Sequence, residues 1–366
     1  MRKTMSNNQI FVNISLLFAI LLFCLVVLEI GIRILSPGIF HPSIQLVPNQ
    51  NRTISVDLNG VSPVVNYSTN MWGFRGDPIQ SNFSEHYSIM TIGGSTTQCY
   101  YLDDSLTWPY ILQKNLVASF DDSIIVQNAG LDGYSSRGSL RMMEYVVPKV
   151  EPDMVIFLSG LNDMHLSLNP ERFYKGSPYD EIKPIYWLFS KSRLVQILHL
   201  WYQVFFSDTV LVEQGHSNLV VKEMSQSESV LSAGFEDELI SLEEYEKNVR
   251  ETIRLGREQN VTMLFVTHPI LFYDSDEWRD IEGSRVSFNG SEYYISARTV
   301  GIMLDVFNDR LLEICEGEKV ECFDLASYMP HDSRYYYGSA HFNELGASFV
   351  ARSITGYIRA NRMITP

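Results

Sequence analysis

The stretch SIMTIGGSTTQ, residues 88–98, decides the fold because an apolar run ends in two glycines and a serine. Ser88–Ile92 fits a buried β-strand, and Gly93 and Gly94 permit a tight turn with close backbone approach. Ser95 then begins the next segment with an exposed hydroxyl, where helix-terminal N–H groups are available to an anion. The pattern predicts a site at the carboxyl end of a strand.

Further short apolar runs along the chain also fit buried strands. They are Ile124–Gln127, Met154–Leu158, Thr262–Thr267 and Val320–Phe323. Helix-compatible stretches separate most of them, which is typical of a parallel sheet with helices on both faces. A capping box of Ser241 and Glu244 predicts a helix over YEKNVRETIRLGREQ, and apolar spacing predicts another over Glu344–Arg359. We therefore predict an α/β fold with three layers, α/β/α, around a central parallel sheet.

The segments that follow the second and third strands carry groups suited to binding an oxyanion. NAGLDGYSS offers a bare backbone N–H at Gly133, and SGLNDM offers the side-chain amide of Asn162 beside Asp163. Together with the Ser95 hydroxyl, these are the parts of a nucleophile and its oxyanion hole. A base is still required, and SAHFNELGA supplies His341 in the loop before the last predicted helix.

The N-terminal region contains 19 residues without a charge, IFVNISLLFAILLFCLVVL, residues 10–28. At about 1.5 Å per residue this run is long enough to cross a bilayer. Arg2 and Lys3 precede it, so the positive-inside rule places the N-terminus in the cytoplasm and the chain after about Pro37 outside. A cleaved signal peptide is the alternative. The run exceeds the usual length for one, and no small-x-small site ends it.

Charge and cysteine content exclude several classes of protein. The 366 residues carry a formal net charge of −15 and no basic block, which argues against nucleic acid as a partner. The four cysteines show no CxxC spacing, and we predict neither a metal nor a cofactor. In an oxidising medium Cys315 and Cys322 could pair across CEGEKVEC, but two free thiols fit the sequence equally well.

These features predict one anchored domain with an insertion. The predicted parts are a cytoplasmic N-terminus at 1–9, a transmembrane anchor at 10–33, a linker and domain-edge segment at 34–85, and a catalytic domain at 86–366 with an insertion at about 166–240. Within the insertion, the apolar residues 182–206 suit a cap helix over the site or a surface lying on the membrane. The polar residues 207–240 suit a long loop or lid.

Four blocks of the sequence, GGSTT, NAGLDG, GLND and HFNELG, resemble in order those of the SGNH hydrolases, also called GDSL-type esterases and lipases. STNMWGFRG, SLTWPYILQ and the anchor ending LEIGIRIL are similar to elements of the membrane-anchored bacterial branch of that family. The resemblance covers most of residues 16–167 and 259–358. It implies a flavodoxin-like three-layer SGNH domain.

The resemblance also implies roles for particular residues. Ser95 would be the nucleophile, and its own N–H would serve the oxyanion hole together with the N–H of Gly133 and the side chain of Asn162. His341 would take the Ser95 proton and return it to the leaving alcohol.

The sequence departs from the family pattern three residues before His341, where Gly338 replaces the expected aspartate. Three alternatives remain open: a Ser–His dyad whose imidazole is held by a backbone carbonyl, an acid supplied by Asp332, or a catalytically impaired site. His268, at the end of the fourth strand, either lines the pocket or is an internally satisfied histidine.

The leading interpretation is a serine esterase that acts on an acyl or acetyl ester outside the cytoplasmic membrane through an acyl-serine intermediate. The alternatives are an O-acyltransferase or deacetylase of envelope polysaccharide, and an impaired domain that binds a glycan or a partner protein. The expected partners are a small-molecule or glycan ester and the membrane around the N-terminal helix. The sequence leaves the oligomeric state open.

Overall fold

The computed structural model describes residues 7–35, 44, 46–76, 86–120, 124–168, 192–195, 198, 239–271, 285–288, 291–294 and 297–364. The chain divides into two compact units. One comprises Met1–Pro42 and Ile182–Val210, and the other comprises Ser43–Glu181 and Leu211–Pro366.

The first unit is built on helix α1, Asn7–Leu35. Its segment Phe11–Ile34 is long and apolar enough to cross a membrane. Towards its end, the Glu29 carboxylate pairs with Arg33 at 2.8 Å and accepts hydrogen bonds from the backbone N–H groups of Arg193 and Leu194 at 2.8 and 3.0 Å. Part of the predicted insertion is therefore held against the N-terminal helix α1.

The second unit contains the strands β1 Asn51–Ser55, β2 Val64–Ser68, β3 Tyr87–Gly93, β4 Ile124–Asn128, β5 Met154–Leu158, β6 Thr262–Val266, β7 Arg285–Phe288, β8 Ser291–Tyr294 and β9 Glu321–Phe323. Five of them form a parallel sheet in the order β4-β3-β5-β6-β9. The first strand of this sheet thus lies between the second and the third, as in flavodoxin-like folds. The predicted fold class is confirmed.

The helices of this unit are α2 Ser95–Gln98, α3 Trp108–Phe120, α4 Ser136–Tyr145, α5 Val147–Val150, α6 Leu161–Ser167, α7 Leu242–Glu258, α8 Ala297–Glu318, α9 Leu325–Tyr328 and α10 Glu344–Ala360. Short 3₁₀ turns lie at Asp104–Leu106 and Ser333–Tyr335. All residues of β4 and β5 are buried. This explains why these strands read as continuous apolar runs rather than as alternating patterns.

The register of the sheet places the carboxyl ends of its strands at one edge. Gly93 pairs with Leu158, Leu158 with Val266, and Val266 with Phe323. The chain leaves each strand within a few residues of this line, so the segments that carry the predicted site residues emerge close together.

Residues 51–68, which the sequence places in a linker and domain-edge segment, form an antiparallel hairpin of β1 and β2 with Asn51 opposite Ser68. Its small core contains Ile54, Val65 and Tyr67. Only alternate residues of these five-residue strands face inwards, so the run is too short to show a period in the sequence.

The predicted capping box is wrong in its hydrogen bonds, although α7 begins where it was expected. The Ser241 hydroxyl donates to the carbonyl of Asp163 instead of capping the helix, and Glu244 pairs with Arg137. Tertiary partners have replaced the local ones.

A disulfide joins Cys315, in the last turn of α8, to Cys322 in β9. The sequence alone left this pairing open. The predicted loop or lid falls almost entirely on residues outside the described ranges, as does most of the apolar stretch 182–206.

Candidate active site

The side chains of Ser95 and His341 meet, although 246 residues separate them in the sequence. Oγ of Ser95 lies 2.8 Å from Nε2 of His341, within hydrogen-bonding distance. Ser95 is the first residue of α2 and follows Gly94, whose backbone is extended. The sharp turn from β3 into this helix exposes part of Ser95, while His341 is 8% exposed.

Gly93 leaves no room for a side chain in the turn before Ser95, and a side chain on Gly94 would displace the amide of Asn162. A Cβ atom on Gly93 would lie 2.4 Å from the carbonyl oxygen of Leu158, and one on Gly94 would lie 2.7 Å from Nδ2 of Asn162. Real Cβ atoms do not approach other groups so closely. The close backbone approach predicted from the sequence is therefore present, and it brings the amide of Asn162 to the turn before Ser95.

The loops that carry Gly133 and Asn162 are hydrogen-bonded to each other. Nδ2 of Asn162 donates to the carbonyl of Tyr134 at 2.9 Å. Gly133, directly before Tyr134, has a φ of 71°, the left-handed conformation that favours glycine. In the same loop the N–H of Leu131 donates to the carbonyl of Gly93 at 3.0 Å. The structure thus brings the loops of all three predicted oxyanion donors to one edge.

Asp163 has a structural contact rather than a place beside His341. Its carboxylate accepts hydrogen bonds from both the backbone N–H and the hydroxyl of Ser136, at the start of α4. Burial raises the pKa of Asp163 to about 6 in spite of these bonds. The contact fixes the helix that follows the Gly133 loop.

His268 is buried, with 1% of its surface exposed, and its ring contacts Thr96, the residue after Ser95. Its Nδ1 lies 3.0 Å from the carbonyl oxygen of Pro269 and must donate to it, so Nε2 accepts from the Thr96 hydroxyl, also at 3.0 Å. Desolvation lowers the pKa of His268 to about 3. Both ring nitrogens are therefore satisfied inside the protein, next to the residue that follows Ser95.

The His341 loop is a closed turn. Tyr336 and Phe342 form an antiparallel bridge, and the N–H of Tyr337 donates to the carbonyl of His341 at 3.0 Å. The rings of Tyr337 and His341 are stacked, with centroids 5.5 Å apart and an angle of 16° between their planes. A Cβ atom on Gly338 would lie 3.7 Å from Nδ1 of His341.

Asp332 is engaged elsewhere in this loop. Its carboxylate accepts hydrogen bonds from the backbone N–H and from Nε of Arg334, at 2.9 and 2.8 Å. The Arg334 guanidinium lowers the pKa of Asp332. The local role as a turn residue, which the sequence also allows, is the one this geometry shows.

The hairpin of β1 and β2 contacts the His341 loop through its turn. Nδ2 of Asn59 donates to the carbonyl of Ser333 at 2.9 Å, and the N–H of Ser62 donates to the carboxylate of Glu344 at 2.6 Å. Gly60, with a φ of 68°, packs against the side chain of Asn343. Sequence reasoning missed this contact because its partners lie more than 270 residues apart.

The segment after the hairpin contacts the other side of the site through Arg75. Its buried guanidinium donates to the carbonyls of Gln98, Cys99 and Leu102 and pairs with Asp104 at 2.9 Å. These carbonyls lie at the last residue of α2 and just beyond it, so Arg75 fixes the chain that follows Ser95. Arg75 belongs to the stretch STNMWGFRG, whose only signal in the sequence is the family resemblance.

Among the described residues, no group of three or more His, Cys, Asp or Glu side chains is arranged to hold a metal ion.

An α/β/α sandwich with a serine and a histidine in hydrogen-bond contact at the carboxyl edge of the sheet has the architecture of an ester hydrolase. Residues 91–348 match the GDSL-like Lipase/Acylhydrolase family, and the chain belongs to this family. The family consists of esterases and acylhydrolases, which establishes the general kind of enzyme. No curated protein matches the chain.

Solved structures with a similar fold come from several sources. LAE5, an alpha/beta hydrolase enzyme from the metagenome of Lake Arreo, is 14% identical over 76% of this chain and 97% of its own, with a TM-score of 0.43. A lipase/acylhydrolase from Enterococcus faecalis is 14% identical over 75% and 96%, with a TM-score of 0.41. An acetylxylan esterase from Geobacillus stearothermophilus is 13% identical over 75% and 93%, with a TM-score of 0.42.

Proposed function

We propose that the protein is a serine esterase that cleaves an acyl or acetyl ester through an acyl-serine intermediate, outside the cytoplasmic membrane. The observation that carries this proposal is the 2.8 Å contact between Oγ of Ser95 and Nε2 of His341. A nucleophile and a base within hydrogen-bonding distance form the minimal unit for acyl transfer.

In the proposed mechanism Oγ of Ser95 attacks the ester carbonyl carbon while Nε2 of His341 takes the hydroxyl proton. The tetrahedral intermediate collapses, the bond from carbon to the alcohol oxygen breaks, and the imidazolium returns the proton to the leaving alcohol. Water then attacks the acyl-serine with His341 again acting as base. This second step releases the acid and restores the Ser95 hydroxyl.

The charge that develops on the carbonyl oxygen needs fixed donors. We assign this role to the backbone N–H groups of Ser95 and Gly133 and to the side-chain amide of Asn162. Two features support the assignment: the hydrogen bond from Asn162 to the Tyr134 carbonyl occupies only one of its two amide hydrogens, and the side chain stays partly exposed.

The location outside the membrane rests on the N-terminal helix and the disulfide. Phe11–Ile34 can span a bilayer, and Arg2 and Lys3 before it favour a cytoplasmic N-terminus. The Cys315–Cys322 bond is typical of an oxidising compartment. Intact mass of the protein purified from membranes distinguishes an uncleaved anchor from a cleaved signal peptide. Protease treatment of spheroplasts shows on which side of the membrane the domain after the N-terminal helix lies.

Hydrolysis of p-nitrophenyl acetate by the full chain in detergent micelles tests the activity, with labelling of Ser95 by a fluorophosphonate probe measured in parallel. We expect turnover and labelling in the wild type and neither in Ser95→Ala. The matched control is Ser105→Ala, an exposed serine ten residues further on whose hydroxyl binds Asp103. Absence of both signals in the wild type would favour the impaired binding domain.

A second candidate is O-acyl transfer to or from an envelope polysaccharide. Tyr100 and Tyr101, five and six residues after Ser95, are partly exposed and meet edge-on with ring centroids 5.1 Å apart. Aromatic faces suit the C–H groups of sugar rings, because the ring face is electron-rich. Analysis of products from an acyl donor with and without a glycan acceptor separates transfer from hydrolysis.

A further inference from the structure

The face of the His341 imidazole lies against an aromatic ring. Tyr337 is nearly parallel to it, and the 5.5 Å between the centroids falls within the range of favourable offset stacking. The backbone N–H of Tyr337 also donates to the carbonyl of His341 at 3.0 Å. The two residues are therefore fixed to each other through both ring and backbone.

Tyr337 is itself held by other tyrosines. The ring of Tyr101 meets it edge-on, with centroids 6.1 Å apart and an angle of 88°. Tyr101 contacts Tyr100, and Tyr100 contacts Tyr67 in the core of the hairpin at 4.9 Å. This row of rings leads from the buried Tyr67 to the imidazole, so Tyr337 has little freedom to move away from His341.

The resemblance to the SGNH hydrolases implies an aspartate three residues before His341, where this chain has Gly338. A carboxylate there would fix the imidazole by a hydrogen bond in the plane of the ring, whereas a stacked aromatic ring fixes the plane itself. We propose that Tyr337 is a positioning residue that orients His341 towards Ser95 by ring stacking, in the place that the aspartate takes elsewhere. This inference rests on the proposed esterase function.

The test uses the full chain in detergent micelles and measures both kcat for p-nitrophenyl acetate and the rate of fluorophosphonate labelling at Ser95. Tyr337→Leu keeps an apolar side chain but removes the aromatic ring, and we expect kcat and the labelling rate to fall about 10-fold with KM unchanged. Tyr337→Phe keeps the ring and should restore both rates. The matched control is Tyr335→Leu. Tyr335 lies in the same loop as Tyr337, but its ring packs edge-on against Phe349 of α10.

A second-site change distinguishes orientation from general damage to the loop. Adding Gly338→Asp to Tyr337→Leu supplies an in-plane partner for His341, and we expect it to recover most of the lost rate. A merely structural role for Tyr337 would not be repaired in this way. The thermal unfolding midpoint of each variant, followed by circular dichroism, shows which of them fold.

Three results would overturn the inference: labelling of Tyr337→Leu at the wild-type rate, an equal loss in Tyr337→Phe, or no recovery in the double variant. If Ser95 is labelled at the same rate in the wild type and in Tyr337→Leu, this inference is wrong but the proposed function stands. A wild type that is not labelled at Ser95 overturns the proposed function. In that case the stacking can still be measured by NMR, because a ring above the imidazole shifts the resonance of the His341 Cε1–H proton. An identical chemical shift in the wild type and in Tyr337→Leu would argue against stacking.

Discussion

A Cβ atom on Gly338 would lie 3.7 Å from Nδ1 of His341, with the next heavy atom, Cβ of His341, at 3.9 Å. Position 338, at which the family resemblance implies an aspartate, therefore lies beside Nδ1 of His341 and has room for a side chain. Substitutions at this position can test how the imidazole is oriented.

Gly338→Asp should raise kcat by about 3- to 10-fold, because a carboxylate at this distance can accept a hydrogen bond from Nδ1 and stabilise the imidazolium. The acid limb of the pH–activity profile should move to higher pH, since a nearby negative charge favours the protonated ring. Steady-state kinetics between pH 5 and pH 9 measure both effects. An unchanged or lower rate in a folded variant would show that stabilisation of the imidazolium by a carboxylate does not limit kcat.

Asp332→Ala should leave kcat within about threefold of the wild type. Its carboxylate binds the backbone and side chain of Arg334, and this contact serves the turn rather than His341. Hydrolysis of p-nitrophenyl acetate measures the effect. A loss of about 100-fold without unfolding would instead identify Asp332 as the missing acid.

Asn162→Ala should lower kcat about 100-fold and change KM little, because an oxyanion donor acts only when negative charge develops in the transition state. The matched control is Asn66→Ala, an exposed asparagine whose side chain binds Asp103. If both variants lose activity equally, the oxyanion role of Asn162 is wrong. The unfolding midpoint of each variant separates catalysis from stability, since Asn162 also holds the Tyr134 carbonyl.

His268 should make the protein less stable in acid. Burial lowers its pKa from 6.5 to about 3, so the unfolded chain binds a proton that the folded chain refuses. The free energy of unfolding therefore falls as the pH drops below 6.5 and continues to fall towards pH 3. Urea unfolding at a series of pH values measures the slope. His268→Gln keeps an acceptor for Thr96 and should flatten this slope, whereas an unchanged slope would place the acid sensitivity elsewhere.

Asp163 has the opposite effect on the pH dependence of stability, so it also contributes to the slope measured by urea unfolding. Its pKa is raised from 3.8 to about 6, so the folded state binds the proton more tightly than the unfolded state. The stability it contributes is complete below pH 3.8 and is lost as the pH rises through 6. His268→Gln should consequently reveal a stability that decreases between pH 4 and pH 6.

The disulfide should add about 2 to 3 kcal/mol of stability, the value that chain entropy gives for so short a loop. Changing both Cys315 and Cys322 to serine should therefore lower the free energy of unfolding by this amount, as measured by urea denaturation. Maleimide labelling of the denatured chain checks the bond directly. Two thiols, Cys24 and Cys99, should react before reduction and all four cysteines after it.

The parallel sheet could be predicted from the sequence because its strands are buried on both faces. Met154–Leu158 was predicted with the observed bounds, and the strand before Gly93 differs by one residue at each end. The turn at Gly93 and Gly94 was also predictable, since only glycine permits that approach. These elements are specified by local composition and need no knowledge of distant partners.

Other contacts could not be predicted because they join segments that are remote in the sequence. Ser241 was expected to cap its own helix, yet it binds Asp163, 78 residues earlier. The stacking of Tyr337 on His341 depends on the conformation of a loop, which a spacing of four residues does not determine. His268 could be read as a pocket residue or as a satisfied one until its partners Thr96 and Pro269 were known.

The hairpin has a consequence for how the protein loses activity. Its turn is fixed to the His341 loop across 282 residues of sequence, and Arg75 fixes the chain beyond Ser95. The hydrogen bonds from the hairpin turn to the His341 loop are exposed or only partly buried, and contacts of this kind open locally at low free energy. Gentle heating or low denaturant would therefore loosen the contact between Ser95 and His341 while the central sheet stays intact, so the proposed activity would be lost before the secondary structure.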